Sequence, residues 1–103
     1  MRKNLIIEKI SQSIHAKDPG AEVFLFGSRA RGDNKKNSDW DILILVDYKV
    51  TNEIEDNFRE SLYNIELEFG QIISIFIYSK QYWKSNLAYS PLYKNVVKEG
   101  VRL

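Results

Sequence analysis

The chain has 103 residues, with 15 Lys and Arg against 14 Asp and Glu, 44% hydrophobic residues and no cysteine. This length predicts a single domain over residues 1–103, and the balanced charge argues against nucleic acid as a partner. The lack of cysteine excludes disulfides, thiolate metal sites and cysteine nucleophiles. Because we find neither a signal-peptide core nor an apolar stretch near the ~20 residues of a membrane span, we expect a cytoplasmic protein that does not contact a membrane.

Isoleucines at helical spacing predict a first helix near the start of the sequence. Ile6, Ile10 and Ile14 recur every four residues, which places them on one face of a helix. Asn4 is a suitable N-cap, and Asp-Pro-Gly at residues 18–20 provides a stop. We therefore expect a helix with one apolar face to bury.

Two apolar runs in the first half of the chain predict two buried strands. The first strand is expected over residues 21–27 and the second over residues 39–47, with a polar, turn-like stretch at residues 33–37 between them. Because residues 42–46 are apolar without interruption, the second strand should lie in the middle of a sheet covered on both faces.

A long amphipathic helix is predicted from residue 52 to a C-cap at Gly70. Its apolar positions follow steps of three or four residues: Ile54, Phe58, Leu62, Ile65 and Phe69. A competing interpretation makes residues 65–69 a hairpin strand, because these residues also alternate with period two. We prefer the helix because its period runs through the whole segment.

The last third of the chain predicts one more strand and one more helix. Residues 71–79 are rich in β-branched and aromatic side chains, which is typical of a strand. A loop is expected around residues 85–90, followed by a helix that begins at Pro91. Gly100 then precedes a short end.

The segment after the first strand contains residue types suited to binding phosphate. Gly27 lets the backbone come close to an anion, and Ser28 with the amides after it can open a short helix whose N–H groups face that anion. Arg29 and Arg31 offer cationic donors for phosphate oxygens. These four residues are the predicted phosphate-binding group.

Two aspartates at the start of the second strand suggest a metal site. On a strand, Asp39 and Asp41 point to the same side and Trp40 points to the other. Two neighbouring carboxylates repel each other unless a cation lies between them, and an oxygen-only pair suits magnesium. A metal-bound triphosphate would satisfy both groups of residues.

Each half of this pattern also has an ordinary explanation. A Gly-Ser pair after a strand is more often a simple turn, and an Asp-x-Asp at a strand start is more often solvated. Their joint occurrence, each half beside its own apolar strand, favours a functional site.

Together these residues resemble the signature of the minimal nucleotidyltransferases of the DNA polymerase β superfamily, a Gly-Ser turn followed by Asp-x-Asp. Here the signature is Gly27-Ser28 and Asp39-Trp40-Asp41, and the predicted element order also matches the family. The resemblance implies an α/β (α+β) fold in which helices pack on a small mixed β-sheet, as in the polymerase β-like nucleotidyltransferase core.

The same resemblance implies a metal-dependent transfer of AMP from ATP, or of another nucleotide from its triphosphate, to a hydroxyl acceptor. Asp39 and Asp41 would be the catalytic residues and would hold Mg²⁺ or Mn²⁺. The form Gly-Ser-Arg-Ala-Arg-Gly at residues 27–32 is typical of small prokaryotic members that are paired with HEPN-type toxins. The resemblance therefore suggests a tyrosine on a HEPN-like partner as the acceptor, within a toxin–antitoxin module.

The chain departs from the family at the third carboxylate, which active members usually carry on the next strand. Residues 71–79 contain no Asp or Glu, and Ser74 is the residue most like the family's third acid in position. Serine cannot supply the negative charge that a second metal requires. Glu66 and Glu68, near the end of the preceding helix, are the nearest alternatives.

Two hypotheses therefore remain open. In the first, the protein is an active nucleotidyltransferase. In the second, it is a degenerate domain that binds a nucleotide or a protein without efficient catalysis. The second hypothesis would use aromatic side chains as an interface, and the expected exposed ones are Tyr78, Tyr82, Trp83, Tyr89 and Tyr93.

Overall fold

A computed structural model describes residues 4–103 as a four-stranded mixed sheet with helices on both faces, which confirms the predicted class. The elements in chain order are α1 (Leu5–Lys17), β1 (Glu22–Phe26), α2 (Ser28–Arg31), β2 (Trp40–Val46), α3 (Asn52–Phe69), β3 (Ile73–Ser79), α4 (Lys80–Ser85), α5 (Pro91–Glu99) and β4 (Val101–Arg102).

The strands lie in the order β3-β2-β1-β4. β2 pairs antiparallel with β1 and parallel with β3, and β4 pairs antiparallel with the free edge of β1. The parallel pair needs a crossover connection, which α3 provides. As a result, the end of β1 and the starts of β2 and β3 meet at one edge of the sheet.

β2 is buried on both faces, as its uninterrupted apolar sequence predicts. Ile42 and Ile44 belong to the larger core cluster, which includes the buried faces of α1 and α3. Leu43 and Leu45 point the other way into a smaller cluster with Trp83 of α4 and Val96 of α5. Because successive side chains of a strand alternate, one strand supplies both cores.

The two long helices each begin after a residue whose side chain caps the first turn, and Asn4 is the N-cap that the sequence predicted for α1. The Asn4 side chain accepts a hydrogen bond from the Ile6 N–H, and the Thr51 side chain accepts one from the Ile54 N–H. α3 continues without interruption to Phe69 and ends at Gly70. The helix prediction for this segment is confirmed, and the competing hairpin strand over residues 65–69 is wrong.

The C-terminal segment, residues 80–103, contains two elements that the sequence did not predict. α4 follows β3 directly, and β4 is a two-residue strand at the sheet edge. Trp83, expected to be exposed, is only 6% exposed because α4 turns it into the smaller core cluster. Within residues 4–103, no helix combines the length and the apolar character needed to cross a bilayer.

Candidate active site

The turn between β1 and α2 is built around Gly27. Its backbone has φ 78° and ψ −161°, a conformation that essentially only glycine adopts. The Gly27 carbonyl accepts the N–H groups of Ala30 and Arg31, both at 3.0 Å, so the short helix begins immediately. A β-carbon at position 27 would collide with the Asp41 Oδ2 and would lie 3.1 Å from the Asp41 carboxyl carbon. Conformation and space both require glycine here.

The two aspartates lie at the start of β2, and Asp41 approaches this turn. Asp41 lies opposite Phe26 in the β1–β2 register, and Asp39 immediately precedes β2. Trp40, between them, points to the other face and is only 3% exposed. Burial and the neighbouring Asp39 charge raise the pKa of the Asp41 carboxyl. The Asp39 charge therefore acts on the Asp41 carboxyl, and a shared metal ion stays a prediction.

Ser74 joins the aspartates from β3. It lies opposite Asp41 in the parallel β2–β3 register, and its hydroxyl donates to the Asp39 Oδ2 at 3.1 Å. The two alternatives in α3 are engaged elsewhere: Glu66 Oε2 accepts the Ile73 N–H at 2.8 Å, and Glu68 pairs with a lysine of α1. Among residues 4–103, no group of three or more His, Cys, Asp or Glu side chains is arranged to hold a metal ion.

Arg29 holds the loop that carries Asp39. Its guanidinium donates to the carbonyl of Ser38 at 3.0 Å and to the carbonyl of Lys36 at 3.2 Å. The same group lies 4.3 Å above the centre of the Trp40 ring. These contacts fix the backbone immediately before Asp39. A phosphate contact by Arg29 stays a prediction, and it would require several of these contacts to break.

Arg31 is held by two carboxylates instead. Its Nη1 donates to the Glu99 Oε2 at 3.0 Å, and its Nε donates to the Asp33 Oδ2 at 3.1 Å. Hydrogen bonds to Asp33 and then to Glu99 raise the pKa of the guanidinium. Glu99 also accepts the Gly27 N–H at 2.7 Å. Glu99 is a residue of this site that the sequence patterns missed.

The donor atoms around Asp39 and Asp41 suit a hard divalent cation. The set contains only oxygen, from two carboxylates and the Ser74 hydroxyl. Burial and then the Asp39 charge raise the pKa of the Asp41 carboxyl, and a bound cation would favour its charged form. Mg²⁺ or Mn²⁺ fits these residues, with water and phosphate as the remaining ligands.

A sizeable surface cavity lies away from these groups. A cavity of about 540 Å³ lies at the opposite end of β2 and β3, where Asp47 and Lys80 are among the residues that line it. Neither Asp39 nor Asp41 lines this cavity. The candidate site is therefore defined by its chemical groups and not by an enclosed volume.

Comparison with known proteins agrees with this geometry. Residues 7–103 match the model of the nucleotidyltransferase domain family. MJ0604 of Methanocaldococcus jannaschii, named as a candidate protein adenylyltransferase, is 28% identical over 97% of this chain and 96% of its own length. MJ0141 of the same organism has the same description and is 36% identical over 73% of this chain and 78% of its own length.

A solved structure shows the same fold. The crystal structure of a toxin–antitoxin with AMP-PNP contains a chain that superposes with a TM-score of 0.64 at 22% identity, covering 92% of this chain and 69% of that one. The strand register and the close approach of Asp41 to the Gly-Ser turn thus occur in a chain whose sequence matches one family from residue 7 to residue 103. This protein belongs to the nucleotidyltransferase domain family.

Proposed function

We propose that this protein transfers AMP from ATP to a hydroxyl acceptor, with Asp39 and Asp41 as the catalytic and metal-binding residues. The observation that carries the proposal is the close approach of Asp41 to the Gly27 turn, where a β-carbon would leave no room for its carboxylate, together with the Asp39 charge beside it. The AMP-PNP bound by the similar toxin–antitoxin supports an adenine nucleotide, because AMP-PNP is an analogue of ATP.

Different residues of the site have different roles in the proposed reaction. Gly27, Ser28 and Arg31 bind the β and γ phosphates, which leaves the α phosphate beside the aspartates. The acceptor oxygen attacks the α phosphorus, the bond to the β-phosphate oxygen breaks, and pyrophosphate leaves with that electron pair. The hydroxyl proton passes to water or to a carboxylate of the pair. A bound Mg²⁺ supplies charge neutralisation at the phosphate oxygens.

The proposed acceptor is a tyrosine on a HEPN-like partner protein. Two observations support a protein acceptor: MJ0604 and MJ0141 are both named as candidate protein adenylyltransferases, and the chain seen with AMP-PNP belongs to a toxin–antitoxin. A domain of about 100 residues has little surface of its own to select an acceptor. A partner protein would present the hydroxyl.

A second function remains supported by a specific observation. Ser74 takes the place beside Asp39 and Asp41 where the family's third carboxylate is expected, and it donates a hydrogen bond instead of supplying charge. A domain with only two carboxylates could bind nucleotide and partner without efficient transfer. This alternative predicts ATP binding with no labelled product.

A label-transfer assay distinguishes the two functions. Purified protein is incubated with α-labelled ATP, Mg²⁺ and the protein encoded by the neighbouring gene, and label on that protein is measured. We expect transfer, and we expect Asp41→Asn to reduce its rate by about 10²–10³-fold, the usual cost of removing a preorganised electrostatic group.

Asp47→Asn is the matched control. Asp47 follows the opposite end of β2, its side chain is 66% exposed, and it pairs with Lys80 away from the site. This variant should transfer label at the natural rate. Transfer that persists in Asp41→Asn would rule out the proposed site, and ATP binding without transfer by the natural protein would favour the degenerate alternative.

A further inference from the structure

The fold places the end of α5 against the phosphate-binding turn. β4 pairs antiparallel with β1, with Arg102 opposite Phe24 and Val101 opposite Leu25. If this register is continued past the end of β1, Glu99 falls opposite Gly27. The observed hydrogen bond from the Gly27 N–H to the Glu99 Oε2 at 2.7 Å matches this placement.

Glu99 makes the contacts that a bound phosphate would need. One of its oxygens accepts both the Gly27 N–H and the Arg31 guanidinium, and its other oxygen accepts a second bond from Arg31 at 3.2 Å. An amide has a single hydrogen, so Gly27 cannot make a full bond to Glu99 and to a phosphate oxygen at once. The Glu99 side chain is also only 12% exposed, which shields it from solvent competition.

We propose that Glu99 is an internal competitor for the phosphates of the nucleotide. Its carboxylate occupies Gly27 and Arg31 in the free protein, and nucleotide binding displaces it. This inference rests on the proposed function, since it assumes that a nucleoside triphosphate binds at this turn. The consequence is that Glu99 weakens nucleotide binding, because a triphosphate must displace this carboxylate before its oxygens can contact Gly27 and Arg31.

The opposite role for Glu99 would be that of a third metal-binding carboxylate. Its negative charge does act on Asp41, where it contributes to the raised pKa of that carboxyl. Both of its oxygens, however, point to N–H donors and not to the aspartate pair. The two roles predict opposite effects of neutralising Glu99, so one variant distinguishes them.

The test is the affinity for ATP in the presence of Mg²⁺, measured by calorimetry on the natural protein and on Glu99→Gln. Glutamine keeps the shape of the side chain and removes its charge. We expect Glu99→Gln to bind ATP about tenfold more tightly, a change of ~1.4 kcal/mol, because a charge-assisted contact no longer has to be broken.

Asp33→Asn is the matched control, since Asp33 also pairs with Arg31 and the variant loses the same charge. The Asp33 side chain is 63% exposed, and its carboxylate accepts from Arg31 and not from Gly27, so we expect a much smaller change in affinity. A second readout is the Glu99 side-chain carboxyl resonance by NMR, which should shift when ATP binds to the natural protein.

Each outcome has a distinct meaning. An affinity of Glu99→Gln equal to or weaker than that of the natural protein, or a Glu99 resonance that ATP leaves unchanged, overturns the competitor role while the proposed function stands. A loss of Mg²⁺-dependent binding in Glu99→Gln assigns it to the metal instead. If neither the natural protein nor any variant binds ATP, the proposed function fails and the competitor role fails with it.

Discussion

Asp41 places a charged side chain in a partly buried and negatively charged environment. Its carboxylate is partly buried and faces the charges of Asp39 and Glu99, and these effects raise its pKa. An apolar residue at this position of β2 would avoid that repulsion. A carboxylate held in an unfavourable electrostatic environment is typical of a functional site, because the ligand supplies the missing compensation.

A divalent cation should therefore stabilise the natural protein through the aspartate pair. At a Mg²⁺ concentration about tenfold above its Kd, the free energy of unfolding should rise by ~1.4 kcal/mol, since the ion binds the folded state only. Thermal unfolding with and without Mg²⁺ measures this effect. Asp41→Asn should lose it and Asp47→Asn should keep it. An equal rise in all three proteins would show that Mg²⁺ acts elsewhere.

Tyr48 gives a prediction for pH dependence away from the site. Its hydroxyl donates to the Asp18 Oδ2 at 2.8 Å, and burial followed by this bond raises the pKa of Tyr48 to about 12. The folded pKa lies above the unfolded value of about 10, so the contribution to stability is complete below pH ~10 and is lost as the pH rises towards ~12.

Denaturant unfolding across this pH range measures the Tyr48 contribution. Tyr48→Phe should remove part of the decline in the free energy of unfolding between pH ~10 and ~12. Tyr89→Phe is the control, because the Tyr89 side chain is 90% exposed and the variant loses the same hydroxyl group. The same decline in the natural protein and in both variants would show that the Tyr48–Asp18 bond does not contribute.

At the scale of elements, the turn from β1 to α2 connects backbone conformation to the site. Gly27 and Gly32 bound α2, and both have positive φ, 78° and 87°. A β-carbon at Gly27 collides with Asp41, whereas one at Gly32 meets no heavy atom within 4 Å. A substitution at Gly32 therefore changes stability only through the backbone conformation, whereas a substitution at Gly27 also displaces Asp41.

Alanine substitution at each glycine tests this difference. Gly32→Ala should lower the free energy of unfolding by about 1 kcal/mol and leave nucleotide transfer near the natural rate. Gly27→Ala should lower stability further and abolish transfer, because Asp41 is pushed from its position. Unfolding curves and the label-transfer assay measure both effects. Equal transfer by the two variants would contradict the close approach of Asp41 to the turn.

Elements with a clear period were predictable from the sequence, and α4 and β4 were not. The four-residue spacing of isoleucines predicts α1, and the uninterrupted apolar run predicts β2, without any information from the rest of the chain. α4 is only six residues long, and its main local sign is the Ser79 side chain that accepts the Tyr82 N–H. β4 has two residues and depends on the free edge of β1, which exists only after the sheet has formed.

The candidate site shows the same division between local and distant contacts. Gly27, Asp39 and Asp41 lie within one short stretch, so their proximity followed from two predicted strands joined by a turn. Glu99 is 72 residues from Gly27, and no spacing in the sequence connects them. The contacts of Arg29 with the Lys36–Ser38 backbone were also not predictable, because they depend on the path of a polar loop. The metal-binding role of the aspartates stays a prediction.

At the scale of the whole molecule, the C-terminal segment covers the second face of the sheet. Trp83 of α4 packs 5.0 Å from the ring of Tyr93 in α5, and both lie over the Leu43 and Leu45 side of β2. The same segment delivers Glu99 to the site. Packing on this face of the sheet and the position of Glu99 beside Gly27 therefore depend on one stretch of chain.

Trp83→Ala tests this dependence. Removing a buried tryptophan should lower the free energy of unfolding by about 3–5 kcal/mol, because it leaves a cavity under α4 and α5. Tyr89→Ala is the control, since an exposed side chain should change stability by less than about 0.5 kcal/mol. Denaturant unfolding gives both values. A small, equal effect in the two variants would show that this face contributes little to the fold.

The position of a bound divalent ion tests the central claim most directly. Crystals grown with Mn²⁺ and a non-hydrolysable ATP analogue allow the ion to be located by its anomalous scattering. We expect a peak roughly 2 Å from carboxylate oxygens of both Asp39 and Asp41, with the β and γ phosphates at Gly27 and Ser28. An ion bound away from either aspartate, or a triphosphate that does not contact the Gly27 turn, would contradict it.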